Sequence, residues 1–152
     1  MKKIWLFLGL PLAVGGLATL LAGGMGNYKT FTQPPLSPPG WLFPVVWTLL
    51  YLTMGYASWR VYTRENDAAQ RRLALIFYGL QLFCNFLWPI IFFRFEAFLG
   101  AFVVLIILWI LIVLTMWQFY KSDERSGDLL IPYLLWVTFA GYLNLGVYLL
   151  NG

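Results

Sequence analysis

The sequence predicts an all-α, polytopic membrane protein: a bundle of five transmembrane helices with a Pro-rich loop between helices 1 and 2. Hydrophobic residues make up 61 % of the 152 residues, charged residues make up only 11 %, and the mean hydropathy is +0.76. That leaves too little polar surface to cover a water-soluble domain. Five stretches carry no charge, and each reaches the length of about 20 residues that crosses a bilayer as a helix: 4–28, 30–59, 73–93, 97–120 and 129–152.

These stretches predict a single membrane domain over residues 1–152, with helices at about 4–25, 41–62, 73–93, 97–120 and 129–150. The first of them has an alternative interpretation as a cleavable signal peptide, because Lys2 and Lys3 precede an apolar run. That run is about nineteen residues long, which exceeds the usual signal core, and Pro11 within it favours a packed helix.

The distribution of basic residues predicts the orientation in a cell inner membrane. Eight of the ten Lys and Arg residues fall in the N-terminus and in the second and fourth connections: Lys2, Lys3, Arg60, Arg64, Arg71, Arg72, Lys121 and Arg125. Because cytoplasmic loops are enriched in Lys and Arg, we expect a cytoplasmic N-terminus, with the first loop and the C-terminus outside. The same bias accounts for the net charge of +4, so no nucleic-acid partner is needed.

The first loop contains two Pro-Pro pairs, Pro34-Pro35 and Pro38-Pro39, with Leu36 between them. Proline fixes φ and has no N–H to donate, so a helix cannot absorb this stretch. Two interpretations stay open. The loop is either a lid over the mouth of the bundle or an ordinary connector.

Helix 2 places Trp47 and Tyr51 on one face, because they are four residues apart. Such a stripe is typical of helix packing, and a ligand slot is the alternative. The connection that follows, about 60–72, is predicted to be a solvated turn without readable chemistry.

The later helices carry a few polar groups that require partners in lipid. Gln81 and Asn85 on helix 3 should face the bundle, and Pro89 should kink that helix near its end. Helix 4 is almost wholly aliphatic, which predicts a face toward lipid or toward a second copy. On helix 5, Trp136 lies four residues before Ala140, next to a gap left by the small side chain.

The chemistry of the chain is limited to aromatic rings with a few amides and hydroxyls. The sequence has no histidine and one cysteine, and none of the predicted helices contains an acidic residue. This composition excludes a Ser-His-Asp arrangement, a zinc site and a histidine-ligated haem, so we expect no metal and no required cofactor. Eight tryptophans, nine tyrosines and thirteen phenylalanines favour a large, planar, hydrophobic ligand.

Four segments together point to one family. They read LSPPGWLFPVVWTLLY at 36–51, NFLWPIIFF at 85–93, TMW at 115–117 and LIPYLLWVTFAGYLN at 130–144. In these segments the chain resembles the TspO/MBR family. That family includes bacterial tryptophan-rich sensory proteins and the mitochondrial translocator protein, a peripheral-type benzodiazepine receptor.

The resemblance implies a five-helix bundle, often dimeric, with a pocket that the first loop closes over porphyrins, sterols or drug-like aromatic compounds. We therefore expect protoporphyrin IX or another tetrapyrrole as ligand, and the bilayer and a second copy as partners. Trp47 and Trp136 match two tryptophans linked in some bacterial members to porphyrin breakdown, and they are the candidates for a catalytic role. With Tyr51 from the helix 2 stripe, the expected ligand-binding residues are Trp47, Tyr51, Asn85, Trp88, Trp136 and Ala140.

The chain departs from the family pattern at two places. Leu36 stands where the family usually has a tryptophan, and no basic residue follows Tyr142 and Tyr148 to complete a sterol-recognition pattern. Porphyrin is thus expected ahead of sterol. The leading hypothesis is a membrane-embedded binding or sensory protein, and not an enzyme. The alternatives are light- and oxygen-dependent porphyrin degradation and translocation of porphyrin or sterol.

Overall fold

A computed structural model describes residues 3–23 and 33–151, and all regular structure within those two ranges is helical. The predicted all-α class is therefore confirmed for this part of the chain. The predicted end of helix 1 and the first part of the loop lie outside the described residues. The helices are α1 (Ile4–Leu21), α2 (Leu42–Arg64), α3 (Ala68–Pro89), α4 (Phe98–Ser122), α5 (Glu124–Asp128) and α6 (Ile131–Asn151).

Four helical stretches in the described ranges are long and apolar enough to cross a bilayer. They are Ile4–Leu21, Ala68–Arg94, Phe98–Ser122 and Glu124–Asn151. Helix α2 has 23 residues but is not among them. Its tyrosine, threonine and serine side chains make its most apolar part less hydrophobic than those of the four stretches.

Helices α1 and α2 approach each other closely through glycines. A methyl group on Gly55 would collide with the backbone carbonyl of Phe7, and one on Gly15 would collide with the ring of Tyr51. Small residues at such crossings let helix backbones come together in lipid. Consequently Gly15 brings α1 against the face of α2 that carries Tyr51.

The connection between α2 and α3 corrects the prediction of a solvated turn over 60–72. Helix α2 continues to Arg64 and α3 begins at Ala68, so residues 65–67 alone connect them. The side chain of Asp67 caps α3 by accepting a hydrogen bond from the N–H of Ala69 at 3.0 Å. Both helices therefore continue past the charge-free stretches from which their ends were predicted, and charged residues occupy the added turns.

Helix α3 ends at Pro89 and continues as one π-helical turn, Ile90–Arg94. Pro89 has no N–H with which to continue the regular helical ladder. The N–H of Ala97 donates to the carbonyl of Ile91 at 3.1 Å and closes a short connection to α4. The two helices are therefore antiparallel neighbours, and they pack along much of their length.

Polar contacts mark the two ends of the bundle. At one end Lys3 Nζ donates to the hydroxyl of Tyr62 at 2.8 Å, so the start of α1 lies beside the end of α2. At the other end an Arg94 guanidinium nitrogen donates to the carbonyl of Leu21 at 3.0 Å. Gln81 and Asn85 lie in the interior, as predicted, and α4 exposes an apolar face formed by Val103, Ile106, Ile107, Ile110 and Leu114.

Candidate functional site

A cavity of about 100 Å³ lies between α1, α2 and α3, against the end of α3 that contains Pro89. Small residues of α1 form one wall, and aromatic rings of α2 and α3 form the others. The tyrosine and asparagine among them are the principal polar groups at the wall. The lining includes Gly15, Thr19, Trp47, Tyr51, Asn85 and Trp88.

Trp47 and Tyr51 share a face of α2, as their spacing predicts. Their rings stack with centroids 5.6 Å apart and an interplanar angle of 27°. Trp47 also meets the ring of Tyr133 from α6 edge-on at 6.3 Å. The two rings therefore do what both interpretations require: they pack between helices, and they line a cavity that could hold a ligand.

A chain of hydrogen bonds runs from the cavity wall into the interior. The Tyr51 hydroxyl donates to Asn85 Oδ1 at 2.8 Å, and Asn85 Nδ2 donates to the Tyr133 hydroxyl at 2.8 Å. Tyr133 in turn donates to Gln81 Oε1 at 2.7 Å. Gln81 Nε2 has no hydrogen-bond partner among the described residues. The chain thus joins α2, α3 and α6 and satisfies most of the polar atoms buried there.

A second pair of bonds holds Trp88 in place. Its indole N–H donates to Asn144 Oδ1 at 2.8 Å, and Asn144 Nδ2 donates to the carbonyl of Phe98 at 2.8 Å. Asn144 is fully buried. The Trp88 ring is therefore fixed between the cavity on one side and α6 on the other.

Ala140 and Trp136 do not line the 100 Å³ cavity. Ala140 lines a smaller void of about 20 Å³ that shares Trp88 and Phe43 with the main cavity. Trp136 is half-buried behind Trp47, which it meets edge-on at a centroid distance of 6.4 Å. Of the six expected ligand-binding residues, the structure brings Trp47, Tyr51, Asn85 and Trp88 together at one cavity and places the other two next to it.

The described part of the first loop packs against α6. Pro34 is buried against Gly146, and the Tyr142 hydroxyl donates to the carbonyl of Pro35. Leu36 is 85 % exposed and has a φ of 68°, so it points away from the bundle. None of the described loop residues 33–40 lines the main cavity, although Ser37 lines the smaller void.

The opposite end of the bundle contains an ion pair that the sequence analysis missed. Arg60 Nε donates to Asp123 Oδ2 at 2.8 Å, and a second guanidinium nitrogen lies 3.4 Å from Oδ1. The two side chains are 9 % and 14 % exposed. Burial alone would raise the pKa of Asp123, but hydrogen bonds from Arg60 and Ser126 outweigh it and hold that pKa below its usual value.

Sequence reasoning also missed the roles of Tyr133 and Asn144. Both lie in the charge-free stretch of the last helix, and a buried hydroxyl or amide in lipid requires a partner. As for Gln81 and Asn85, that rule could have assigned both side chains to the interior of the bundle. Which partner each one meets depends on how α6 is rotated against α3.

Comparison with known proteins identifies relatives over most of the chain. It is 37 % identical to the tryptophan-rich protein TspO of Chlorobaculum tepidum over 148 residues, covering 96 % of this chain and 94 % of that protein. It is 40 % identical to protein CrtK of Rhodobacter capsulatus, covering 82 % and 78 %. It is 31 % identical to the translocator protein of Bos taurus, covering 89 % and 82 %.

These relatives and the apolar helices indicate a multi-pass membrane protein. The TspO/MBR family model matches residues 7–150, which is nearly the whole chain and includes every residue of the cavity wall named above. The resemblance carried by the four sequence segments is thereby confirmed, and the protein belongs to the TspO/MBR family.

Proposed function

We propose that the protein is a membrane-embedded binding or sensory protein for porphyrins and related planar hydrophobic ligands. The observation that carries this proposal is the cavity wall, where Trp47 and Trp88 offer flat apolar faces beside the Tyr51–Asn85 hydrogen bond. Stacking would hold a planar ligand, and one hydrogen bond would orient it. The names of two relatives, tryptophan-rich protein and translocator protein, are compatible with several roles.

The size of the cavity adds a condition to this proposal. Its volume of about 100 Å³ is smaller than the roughly 300 to 1,000 Å³ typical of ligand pockets. A tetrapyrrole therefore requires the walls to separate. We propose that α1 moves, because it contributes only small residues, Gly15, Thr19 and Ala22, to the lining.

We propose five spanning helices, with α2 as the fifth, in a cell inner membrane. At about 1.5 Å per residue its 23 residues extend roughly 35 Å, which is enough to cross the hydrocarbon. The contacts of Lys3 with Tyr62 and of Arg60 with Asp123 gather basic residues at one end of the bundle. That end would be cytoplasmic.

The proposed function is tested by fluorescence-quenching titration of the purified protein with protoporphyrin IX, haem and cholesterol. We expect saturable quenching by protoporphyrin IX, because Trp47 and Trp88 lie at the wall. Trp47→Phe should weaken binding by about 1 kcal/mol through loss of stacking area. Trp5, which is 74 % exposed on α1, provides a matched control, and Trp5→Phe should leave affinity unchanged. If Trp47→Phe and Trp5→Phe bind protoporphyrin IX with the same affinity, the cavity is not the binding site.

Light- and oxygen-dependent degradation of the bound porphyrin is a second candidate, favoured by the edge-on contact of Trp47 with Trp136. Dioxygen would be the oxidant. Porphyrin absorbance should decay under illumination in air and persist in the dark or under argon. Trp136→Phe should slow the decay more than it weakens binding. Decay at the wild-type rate in that variant would remove Trp136 from the reaction.

We propose a homodimer that uses the exposed apolar face of α4. The family resemblance supports a second copy as the partner of this face. Light scattering in detergent should give the mass of two chains. Replacing Ile107 on that face by Trp should shift the mass toward one chain, and an unchanged dimer would exclude α4 as the contact.

A further inference from the structure

We infer that Gln81, which does not line the cavity, determines whether the cavity offers its ligand a hydrogen-bond acceptor or a hydrogen-bond donor. The inference rests on the proposed function, because it concerns the ligand of that same cavity. Its basis is the buried chain Tyr51–Asn85–Tyr133–Gln81, which begins at the wall and ends at an amide nitrogen without a partner among the described residues.

In the observed arrangement every donor of the chain points away from the cavity. Tyr51 donates to Asn85, Asn85 donates to Tyr133, and Tyr133 donates to Gln81. The hydrogen of the Tyr51 hydroxyl is thus occupied, and only the lone pairs of its oxygen are available to a ligand. In this state the cavity accepts hydrogen bonds.

The same four side chains also support the opposite direction. Rotation of each amide by a half turn exchanges its oxygen and nitrogen without changing its shape, and a hydroxyl hydrogen rotates freely. Gln81 Nε2 would then donate to Tyr133, Tyr133 to Asn85 Oδ1, and Asn85 Nδ2 to Tyr51. The hydroxyl hydrogen of Tyr51 is then free, and Tyr51 can donate a hydrogen bond to a ligand in the cavity.

The two directions contain the same number of internal bonds, so neither is strongly preferred. In both, the unpaired polar atom at the inner end belongs to Gln81, its nitrogen in one case and its oxygen in the other. A ligand that bonds to Tyr51 adds one more bond and selects the direction that matches it. The amide of Gln81 makes both directions available because it is both a donor and an acceptor.

Three planar tricyclic compounds of similar shape separate these states. Fluorene offers no hydrogen-bonding group, carbazole has one N–H donor, and fluorenone has one carbonyl acceptor. Wild-type protein should bind carbazole and fluorenone each about fivefold more tightly than fluorene, the effect of one net hydrogen bond. Affinity is measured by quenching of tryptophan fluorescence, and each probe is compared with itself between variants in one detergent.

Gln81→Met is the decisive variant, because methionine has a similar length and no comparable donor or acceptor. Without the Gln81 oxygen, the acceptor that remains to the Tyr133 hydroxyl within this chain of bonds is Asn85 Oδ1. That bond turns the Asn85 amide toward Tyr51 and frees the hydroxyl hydrogen of Tyr51. Fluorenone should keep its advantage over fluorene, whereas carbazole should lose about fivefold in affinity.

Two control variants separate this effect from damage to the bundle. Tyr51→Phe removes the hydroxyl that the ligand is proposed to contact and leaves Asn85 at the wall, so carbazole and fluorenone should both lose affinity relative to fluorene. Tyr78→Phe removes a hydroxyl that is also buried on α3, one turn before Gln81, but lies outside the chain. It should leave the order of the three probes unchanged.

The outcomes distinguish the inference from the proposed function. If Gln81→Met changes all three affinities by the same factor, or changes none, the coupling through Asn85 and Tyr133 is refuted while the binding cavity stands. If no probe binds the wild-type protein saturably, the proposed cavity fails and the inference fails with it. A selective loss of carbazole affinity supports both.

Discussion

Replacing Gly15 by alanine tests whether this position of α1 packs against Tyr51 at the cavity wall, because the change adds a single methyl group there. The added carbon would lie 2.6 Å from Tyr51 Cζ, whereas carbon atoms in contact prefer about 3.5 to 4.0 Å. The ring must therefore move by about 1 Å. Such a shift would disrupt the 2.8 Å hydrogen bond from Tyr51 to Asn85.

The expected loss of stability combines two effects. Overpacking of an ordered interior costs about 1 to 3 kcal/mol, and a buried polar group left unpaired costs a similar amount. The better helix propensity of alanine offsets roughly 0.5 to 1 kcal/mol. We expect Gly15→Ala to lower the free energy of unfolding by about 3 kcal/mol and to weaken protoporphyrin binding.

Gly16 is the matched control, because a methyl group there would meet nothing within 4 Å. Gly16→Ala should be neutral or slightly stabilising and should leave affinity unchanged. Thermal unfolding and protoporphyrin titration of both variants in one detergent provide the measurement. If the two variants behave alike, the close contact between α1 and Tyr51 does not exist as described.

Three further predictions concern the loop, the ion pair and the topology. A methyl group on Gly146 would lie 2.5 Å from Cγ of the Pro34 ring, so Gly146→Ala should detach the loop and speed ligand dissociation. Gly141→Ala is the control and should leave the dissociation rate unchanged. Equal rates in the two variants would reduce the loop to a connector. Asp123→Asn should destabilise the protein by roughly 3 to 5 kcal/mol, because Arg60 is left buried without its counterion. A cost below about 1 kcal/mol would indicate that water already solvates the pair. Because the pKa of Asp123 is lower in the folded than in the unfolded protein, its carboxylate contributes to the free energy of unfolding above the unfolded pKa of about 4. That contribution is lost as pH falls through the folded-state pKa. The unfolding temperature of Asp123→Asn should therefore vary less with pH over that range than the unfolding temperature of the wild type. Reporter fusions should place the C-terminus on the periplasmic side of the membrane, and a cytoplasmic C-terminus would contradict the proposed five spans.

Local spacing was sufficient to predict the parts of the site that lie on one helix. The four-residue interval of Trp47 and Tyr51 predicted their stack, and the polarity of Asn85 in an apolar stretch predicted its burial. Both inferences require only the helical period and the absence of water in lipid. They need no knowledge of how the helices are arranged.

Contacts between distant helices could not be predicted in the same way. The pairing of Arg60 with Asp123 joins two residues that the sequence analysis assigned to loops, because charge was used to delimit the spans. One available signal was overlooked: Asp67 followed by Gln70 is the pattern that begins a helix, and it would have placed the start of α3 at Ala68. The placement of Trp136 behind Trp47 depends on the rotation of α6, which no local pattern determines.

The ion pair between Arg60 and Asp123 has a consequence for biosynthesis. Arg60 leaves the ribosome more than sixty residues before its counterion, so the nascent α2 carries an unneutralised guanidinium near its end. The most apolar part of α2 is also less hydrophobic than those of the four apolar stretches. Its integration should therefore be completed only when the segment after α4 arrives. In chains truncated before Asp123, we expect a glycosylation acceptor placed just after α2 to be modified more completely than in the full chain, because an α2 that is not integrated carries it across the membrane. Equal modification at both lengths would indicate that the translocon integrates α2 independently of its later partner.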